Sequence, residues 1–173
     1  MRKQYGRALR ELFAEGLAHA SPGFEAVRKH EPLVGVPGER AFRRAVSPEV
    51  VQWLVVVPHQ QAEAFFVEVG WSRLGRFPQL TMRPSFVRPA DAGPVDEVLL
   101  RLRELAGEND MGWTIEAPPL GGTRDEMLAY MVAQTAPLAP EVARARVAPR
   151  VEEALRMWVD VGRPFLDRHA GGT

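Results

Sequence analysis

Two neighbouring stretches, residues 50–57 (VVQWLVVV) and residues 62–71 (AEAFFVEVGW), decide the fold of this chain. The first is dense in β-branched and aromatic residues, which favour a strand. The second alternates, and one of its two faces consists of Phe65, Val67, Val69 and Trp71. Because only Pro58 and a few polar residues separate the two stretches, they predict a hairpin of adjacent antiparallel strands.

The residues before the hairpin predict a helix and one more strand. Between Tyr5 and Leu17, apolar side chains recur at the three-to-four spacing of one helical face. The sequence Ser-Pro-Gly at 21–23 ends this helix, and we expect Phe24 to enter the core. Residues 40–46 add a third strand, which completes an antiparallel β-meander.

The residues directly after the hairpin are harder to assign. Residues 80–87 would form a fourth strand broken at Pro84. Pro94 would open a helix that runs through Leu105, because proline fits the first helical position and apolar residues follow at helical spacing. Residues 113–115 (WTI) are a short extended candidate.

The C-terminal part predicts two further helices. The sequence TRDE at 123–126 has the form of a capping box, with Thr at the N-cap and Glu three residues on. A last helix has an apolar face and is expected to end at Gly162 and Pro164. Together these elements predict a single α+β domain over residues 1–173, with a meander of three to four strands packed by an N-terminal helix and C-terminal helices.

Composition excludes several classes of function. The chain has 173 residues with 22 basic and 22 acidic side chains, so no net field attracts nucleic acid or an anionic membrane. It has no cysteine, which excludes disulfides, thiolate metal ligands and a cysteine nucleophile. No stretch is long and apolar enough for a membrane span. We therefore expect a cytoplasmic protein.

No motif for catalysis, metal or a cofactor is present. The four histidines are scattered, without the spacing of a helical zinc site. The sequence GWSRLG at 70–75 has one residue too many for a nucleophile elbow. The sequence GGT at 121–123 lacks the lysine of a phosphate loop. We therefore predict no catalytic residue, no metal and no cofactor, and an enzyme is the less favoured class.

One segment has an unusual composition, because no acidic residue lies between Glu68 and Asp91. Four arginines with interleaved aromatics occur there, and the binding candidates are Trp71, Arg73, Arg76, Arg83 and Arg88. Arginine beside aromatic residues is typical of surfaces for anions, acidic protein partners or single-stranded nucleic acid. A solvated loop whose aromatics enter the core is the favoured interpretation.

A second candidate site is a pocket assembled in three dimensions. Trp53, His59 and Glu68 belong to the predicted hairpin, and together they offer an aromatic wall, an imidazole and a carboxylate. A histidine and a carboxylate within hydrogen-bond reach in a deep pocket would favour an enzyme or a small-ligand protein.

The first half of the chain resembles a bacterial family of domains of unknown function, the one numbered 4304. The resemblance is carried by the Gly-Phe junction at 23–24, the strand sequences RAFRR at 40–44 and VQWLV at 51–55, and FVEVG at 66–70. Where that family tends to have a polar Gln-Lys-Ser segment after the second strand, this chain has Pro-His-Gln at 58–60. The resemblance implies an α+β fold and brings no catalytic residues.

Three hypotheses of function follow. The first is a non-enzymatic module that docks another protein through the sheet or the arginine-bearing segment, with an immunity-type role as one version. The second is an enzyme or small-ligand protein with the pocket site. The third is nucleic-acid or anion binding through residues 73–88, which the zero net charge disfavours. An unpaired sheet edge would also allow a dimer.

Overall fold

An antiparallel sheet organises the chain in the computed structural model, which describes residues 1–27, 35–109 and 111–170. The strands run in the order β1-β2-β3-β4-β5, and β6 also pairs with β4. Both β5 and β6 lie along the same edge of β4, one beyond the other. The strands are β1 (Glu25–Ala26), β2 (Arg40–Ala45), β3 (Val51–Pro58), β4 (Glu63–Ser72), β5 (Glu97–Arg101) and β6 (Trp113–Glu116).

One helix precedes the strands, a short one lies between β5 and β6, and the others follow. The described helices are α1 (Lys3–Ala20), α2 (Leu102–Leu105), α3 (Arg124–Thr135), α4 (Pro140–Met157) and α5 (Arg163–Ala170). A π-helical turn, Trp158–Gly162, joins α4 to α5. None of the helices in the described ranges is both long enough and apolar enough to cross a membrane. The arrangement confirms the predicted α+β fold.

The predicted meander is confirmed as β2, β3 and β4. Phe42 pairs with Leu54 across β2 and β3, and Trp53 pairs with Gly70 across β3 and β4. At Gly70 a Cβ atom would lie 1.8 Å from the carbonyl oxygen of Val98, so glycine is what allows β5 to approach β4 this closely.

The two faces of the sheet are covered differently. One face packs on α1, α4, α5 and the π-helical turn, and its core includes Leu9, Phe13, Leu54, Val69, Trp71, Trp113 and Trp158. Phe24 is buried there as predicted, with its ring centroid 5.2 Å from that of Trp158. The other face carries Trp53, Val55 and Leu99, and the segment after β4 covers it with Phe77. Both faces are therefore buried.

The predicted helix from Pro94 to Leu105 is wrong, since β5 occupies its middle, residues 97–101, and only the four residues of α2 are helical. Val98, Leu99 and Leu100 are buried in succession, which fits a strand covered on both faces. The reason is tertiary: β4 presents an open edge, and pairing with it satisfies the backbone of residues 97–101.

The fourth strand expected at residues 80–87 is also wrong, because these residues form bends and irregular chain. Only Ser85 pairs with β5, where its N–H donates to the carbonyl of Leu99 at 2.8 Å and its hydroxyl accepts from the Leu99 N–H at 3.1 Å. Pro84 cannot donate to a ladder, which prevents regular pairing beside this one contact.

The last helix does not end at Gly162 and Pro164. The chain stays helical through the π-helical turn and continues as α5 to Ala170. The wider turn tolerates Pro164, whose missing N–H and ring disrupt an ordinary α-helix. A Cβ at Gly162 would lie 2.6 Å from the Trp158 ring, so this turn also packs tightly on the core.

Candidate docking surface

Trp71 lies inside the core, and Arg73 lies at the edge of the core. The Trp71 ring is fully buried under α5. The Arg73 guanidinium lies 5.5 Å from that ring and donates to the carbonyls of Val95 at 2.6 Å, Gly93 at 2.9 Å and His169 at 2.9 Å. Arg73 therefore ties the chain before β5 to the end of α5, and Trp71 is not at the surface.

Arg83 belongs to a buried ion network on the second face of the sheet. Its Nε donates to Glu68, and its Nη1 lies 2.9 Å from Oε2 of Glu39. Arg101 approaches the other Glu68 oxygen at 3.3 Å and places its guanidinium 4.0 Å from the centre of the Phe66 ring. Removing one member would leave an uncompensated buried charge, so the network holds residues 73–88 against the sheet.

The other two arginines of the segment also have partners. Arg76 Nε lies 3.0 Å from Oε1 of Glu97, and Arg88 Nη2 lies 2.6 Å from Oδ2 of Asp91 at the surface. An anionic ligand would have to compete with these carboxylates. The segment's most exposed aromatic side chain is Phe86, at 82% exposure.

Trp53, His59 and Glu68 are not brought together around a cavity. Trp53 is buried, and its Nε1 donates to the Arg76 carbonyl at 3.2 Å. Glu68 lies on the same face of the sheet within the ion network. His59 follows the end of β3, where its Nδ1 accepts from the N–H of Gln61 at 3.1 Å. The contacts of Trp53 and Glu68 leave neither open to a ligand.

Local hydrogen bonds at its first turn stabilise helix α3. The Thr123 hydroxyl accepts from the N–H of Glu126 at 3.3 Å, and the Glu126 carboxylate accepts from the N–H of Thr123 at 2.7 Å. This confirms the predicted capping box, which satisfies two backbone donors at the start of the helix. Unlike α1, α2, α4 and α5, α3 has no buried residue.

The outer side of α3 is apolar. Its exposed side chains are Met127 at 37%, Leu128 at 58%, Met131 at 59% and Val132 at 62%. Their three- and four-residue spacing places them on one side of the helix, and we call these four residues the α3 apolar face. Leu120, in the turn before the helix, is 96% exposed. A clustered apolar surface of this kind is typical of interaction sites, and methionine is common in them.

A different side of α3 attaches it to the rest of the protein. The Tyr130 hydroxyl donates to the backbone carbonyl of Glu116 at 3.3 Å, and Arg2 Nη1 donates to the carbonyl of Ala133 at 3.1 Å. Burial and the nearby carboxylates of Glu116 and Glu63 raise the pKa of Tyr130, which keeps its phenol a donor. The attachment is polar and leaves the α3 apolar face uncovered.

A polar cluster at the base of α3 supports this attachment. Arg2 Nε lies 3.1 Å from Oε1 of Glu63, and Arg2 also pairs with Glu116. The Tyr5 hydroxyl donates to Glu116 Oε2 at 2.8 Å and accepts from Arg146 Nη1 at 3.0 Å. Burial is the main cause that raises the pKa of Tyr5. The cluster thus joins α1, β4, β6 and α4 next to the contacts of Tyr130 and Ala133 in α3.

The capping box at residues 123–126 predicts that the residues of this surface are helical, but it does not predict their exposure. The local signal of a helix set apart from the core is its isolation by prolines, at 118 and 119 before it and at 137 and 140 after it. Residues 127–135 carry no charge. No group of three metal-binding side chains occurs in the part of the chain that the structure describes.

Comparisons of the chain with protein-family models, with curated proteins and with solved structures find no match. The resemblance to the family numbered 4304 therefore stays a prediction.

Proposed function

We propose that this protein is a non-enzymatic protein-binding module that docks another polypeptide chain through the α3 apolar face. The observation that carries the proposal is a complete, capped helix that buries none of its residues and presents Leu128, Met131 and Val132 to solvent. Because α3 contributes no buried residue to the core of the protein, these side chains lose their contact with water, and so contribute stability, only in a complex.

The energetics fit a helix-in-groove mode of recognition. Full burial of one leucine, valine or methionine side chain contributes about 1.5–3 kcal/mol. The four members of the α3 apolar face would act as anchors at successive turns, which is how amphipathic helices bind grooves. The cap at Thr123 preorganises the helix, so less conformational entropy is lost on binding.

An immunity-type role, in which the module neutralises a toxin, is one version of this proposal. The two other functions have less support. Nucleic-acid or anion binding through residues 73–88 would compete with the partners of Arg73, Arg76, Arg83 and Arg88. A pocket around Trp53 and Glu68 would require both buried side chains to move.

Affinity capture with matched variants tests the proposal. Tagged wild-type protein, a Leu128→Glu/Val132→Glu variant and a Met82→Glu/Phe86→Glu control are each mixed with lysate of the source cells. All four changed residues are exposed, so the variants should fold, which thermal unfolding checks. Captured chains are identified by mass, purified and rebound to purified protein.

We expect one polypeptide to bind the wild type and the Met82→Glu/Phe86→Glu control, and to be lost with Leu128→Glu/Val132→Glu. That polypeptide is either a different protein or an untagged copy of this chain. Equal capture by all three proteins would contradict docking through α3. So would the absence of any specific capture from a lysate in which this protein is expressed, if the purified chain also fails to associate with itself.

A further inference from the structure

We infer that the chain seated on the α3 apolar face is a second copy of this protein, with the two α3 helices antiparallel across a two-fold axis. This inference rests on the proposed function and names the partner. Two properties of α3 lead to it: the symmetric order of its apolar residues and the asymmetric distribution of its charges.

The apolar residues are arranged symmetrically about the middle of the helix. The midpoint of α3 lies between Ala129 and Tyr130. In an antiparallel pair centred there, Leu128 faces Met131 of the second copy and Met127 faces Val132 of the second copy. Every member of the α3 apolar face therefore meets another member. This is the requirement for a two-fold interface, in which one patch is complementary to itself.

The charges of α3 favour the antiparallel arrangement. Arg124, Asp125 and Glu126 all lie in the first turn, and the last turn, residues 133–135 (AQT), has no charge. In a parallel pair, Arg124, which lies on the same side of the helix as the α3 apolar face, would meet its own counterpart, and the helix dipoles would be aligned. In the antiparallel pair Arg124 faces the uncharged last turn of the second copy, so the two arginines lie far apart.

Arg124 adds a complementary contact. It precedes Leu128 by four residues and Met131 by seven, so it lies in line with the α3 apolar face. Among the described residues it forms no ion pair, and at the start of its own helix a cation is unfavourable. Opposite Thr135 of the second copy, it would lie at the C-terminal carbonyls, where a cation is stabilising.

The size of the helix predicts a weak dimer. Twelve residues of α-helix extend for about 18 Å, and the pairing of two such helices is smaller than the interface of a typical stable complex. Leu120, next to the start of α3, would add apolar area at each end. We expect a dissociation constant of roughly 10–100 µM.

Analytical ultracentrifugation of the purified full chain tests the association. The protein should sediment as a 19.3 kDa monomer near the lower end of the micromolar range and as a dimer well above that dissociation constant. Leu128→Glu should abolish dimers, because its carboxylate would face Met131. Arg124→Glu should weaken association by about three- to tenfold, which corresponds to the usual free-energy contribution of a charge at a helix end. Phe86→Glu should change nothing.

Disulfide trapping tests the antiparallel order, because the chain has no cysteine of its own. Leu128→Cys and Met131→Cys variants are oxidised separately and as a mixture. The antiparallel pair predicts that the mixture forms the 128–131 cross-link faster than either variant cross-links with itself. Faster self-cross-linking of each variant would indicate a parallel pair and overturn the arrangement.

The remaining outcomes separate the inference from the proposed function. A monomer at all concentrations up to the millimolar range, or a dimer unaffected by Leu128→Glu, overturns the second copy as the occupant. If the lysate experiment then gives a different protein that Leu128→Glu/Val132→Glu fails to bind, the proposed function stands without the dimer. If it gives neither a copy nor another protein, both are overturned.

Discussion

Helices α1 and α3 have similar sequence patterns and opposite roles. Each has apolar residues at helical spacing, yet α1 buries Tyr5, Leu9, Phe13 and Leu17, whereas α3 buries nothing. α1 lies across one face of the sheet, where Phe13 meets Phe42 of β2. α3 is attached through the hydroxyl of Tyr130 and a backbone carbonyl. An apolar stripe therefore identifies a helix but does not show what covers it.

The two helices also differ at their first residues, where the buried helix α1 lacks a side-chain cap and the exposed helix α3 has one. α1 begins without a side-chain cap, and tertiary packing stabilises it. α3 has a complete capping box and buries no residue, so local interactions and its polar attachment to the rest of the protein stabilise it. Substitutions at Leu9, Thr123 and Leu128 therefore measure the difference between a core helix and a docking helix.

The largest effect is expected for Leu9→Ala in α1. Leu9 is fully buried, so its truncation removes apolar contacts and leaves a cavity. We expect the free energy of unfolding to fall by about 2–5 kcal/mol. Urea unfolding at about 1 µM protein, where the monomer is expected to dominate, measures it. A loss under about 1 kcal/mol would mean that α1 is not part of the core.

A smaller and local effect is expected for Thr123→Ala at the start of α3. The lost cap should destabilise this helix by about 1 kcal/mol, which corresponds to roughly fivefold faster amide hydrogen exchange within α3. The free energy of global unfolding should hardly change, because α3 buries no residue. An equal loss of global stability would show that α3 unfolds together with the core.

The smallest effect is expected for Leu128→Ala, which is the same chemical change as Leu9→Ala at an exposed position. Exposed substitutions usually alter the free energy of unfolding by less than about 0.5 kcal/mol. Urea unfolding at about 1 µM protein should therefore give nearly the wild-type value. Destabilisation comparable to that of Leu9→Ala would contradict the exposure of the α3 apolar face.

Much of the fold could be predicted because its signals are local. The strand pattern of residues 50–57 and 62–71, the helix ended by Ser21 and the capping box at Thr123 each lie within a few neighbouring residues. The segment from Pro94 to Leu105 could not be predicted in this way. Its apolar residues fit a helix, and only the open edge of β4 makes β5 the better solution.

The candidate sites were harder to predict because they depend on pairing over long distances in the chain. The partners of Arg83 are Glu39 and Glu68, and Arg73 reaches the carbonyl of His169 near the C-terminus. Composition showed an acid-free segment rich in arginine, but it could not show that carboxylates from other strands lie beneath it.

The α+β class, the central meander and the existence of α3 follow from local patterns in the sequence, because periodicity and capping act over one or two turns. The internal pairing of the arginines in residues 73–88 and the exposure of Leu128, Met131 and Val132 became evident in the folded chain alone. Burial depends on which surfaces the folded chain brings together, and no local pattern contains that information.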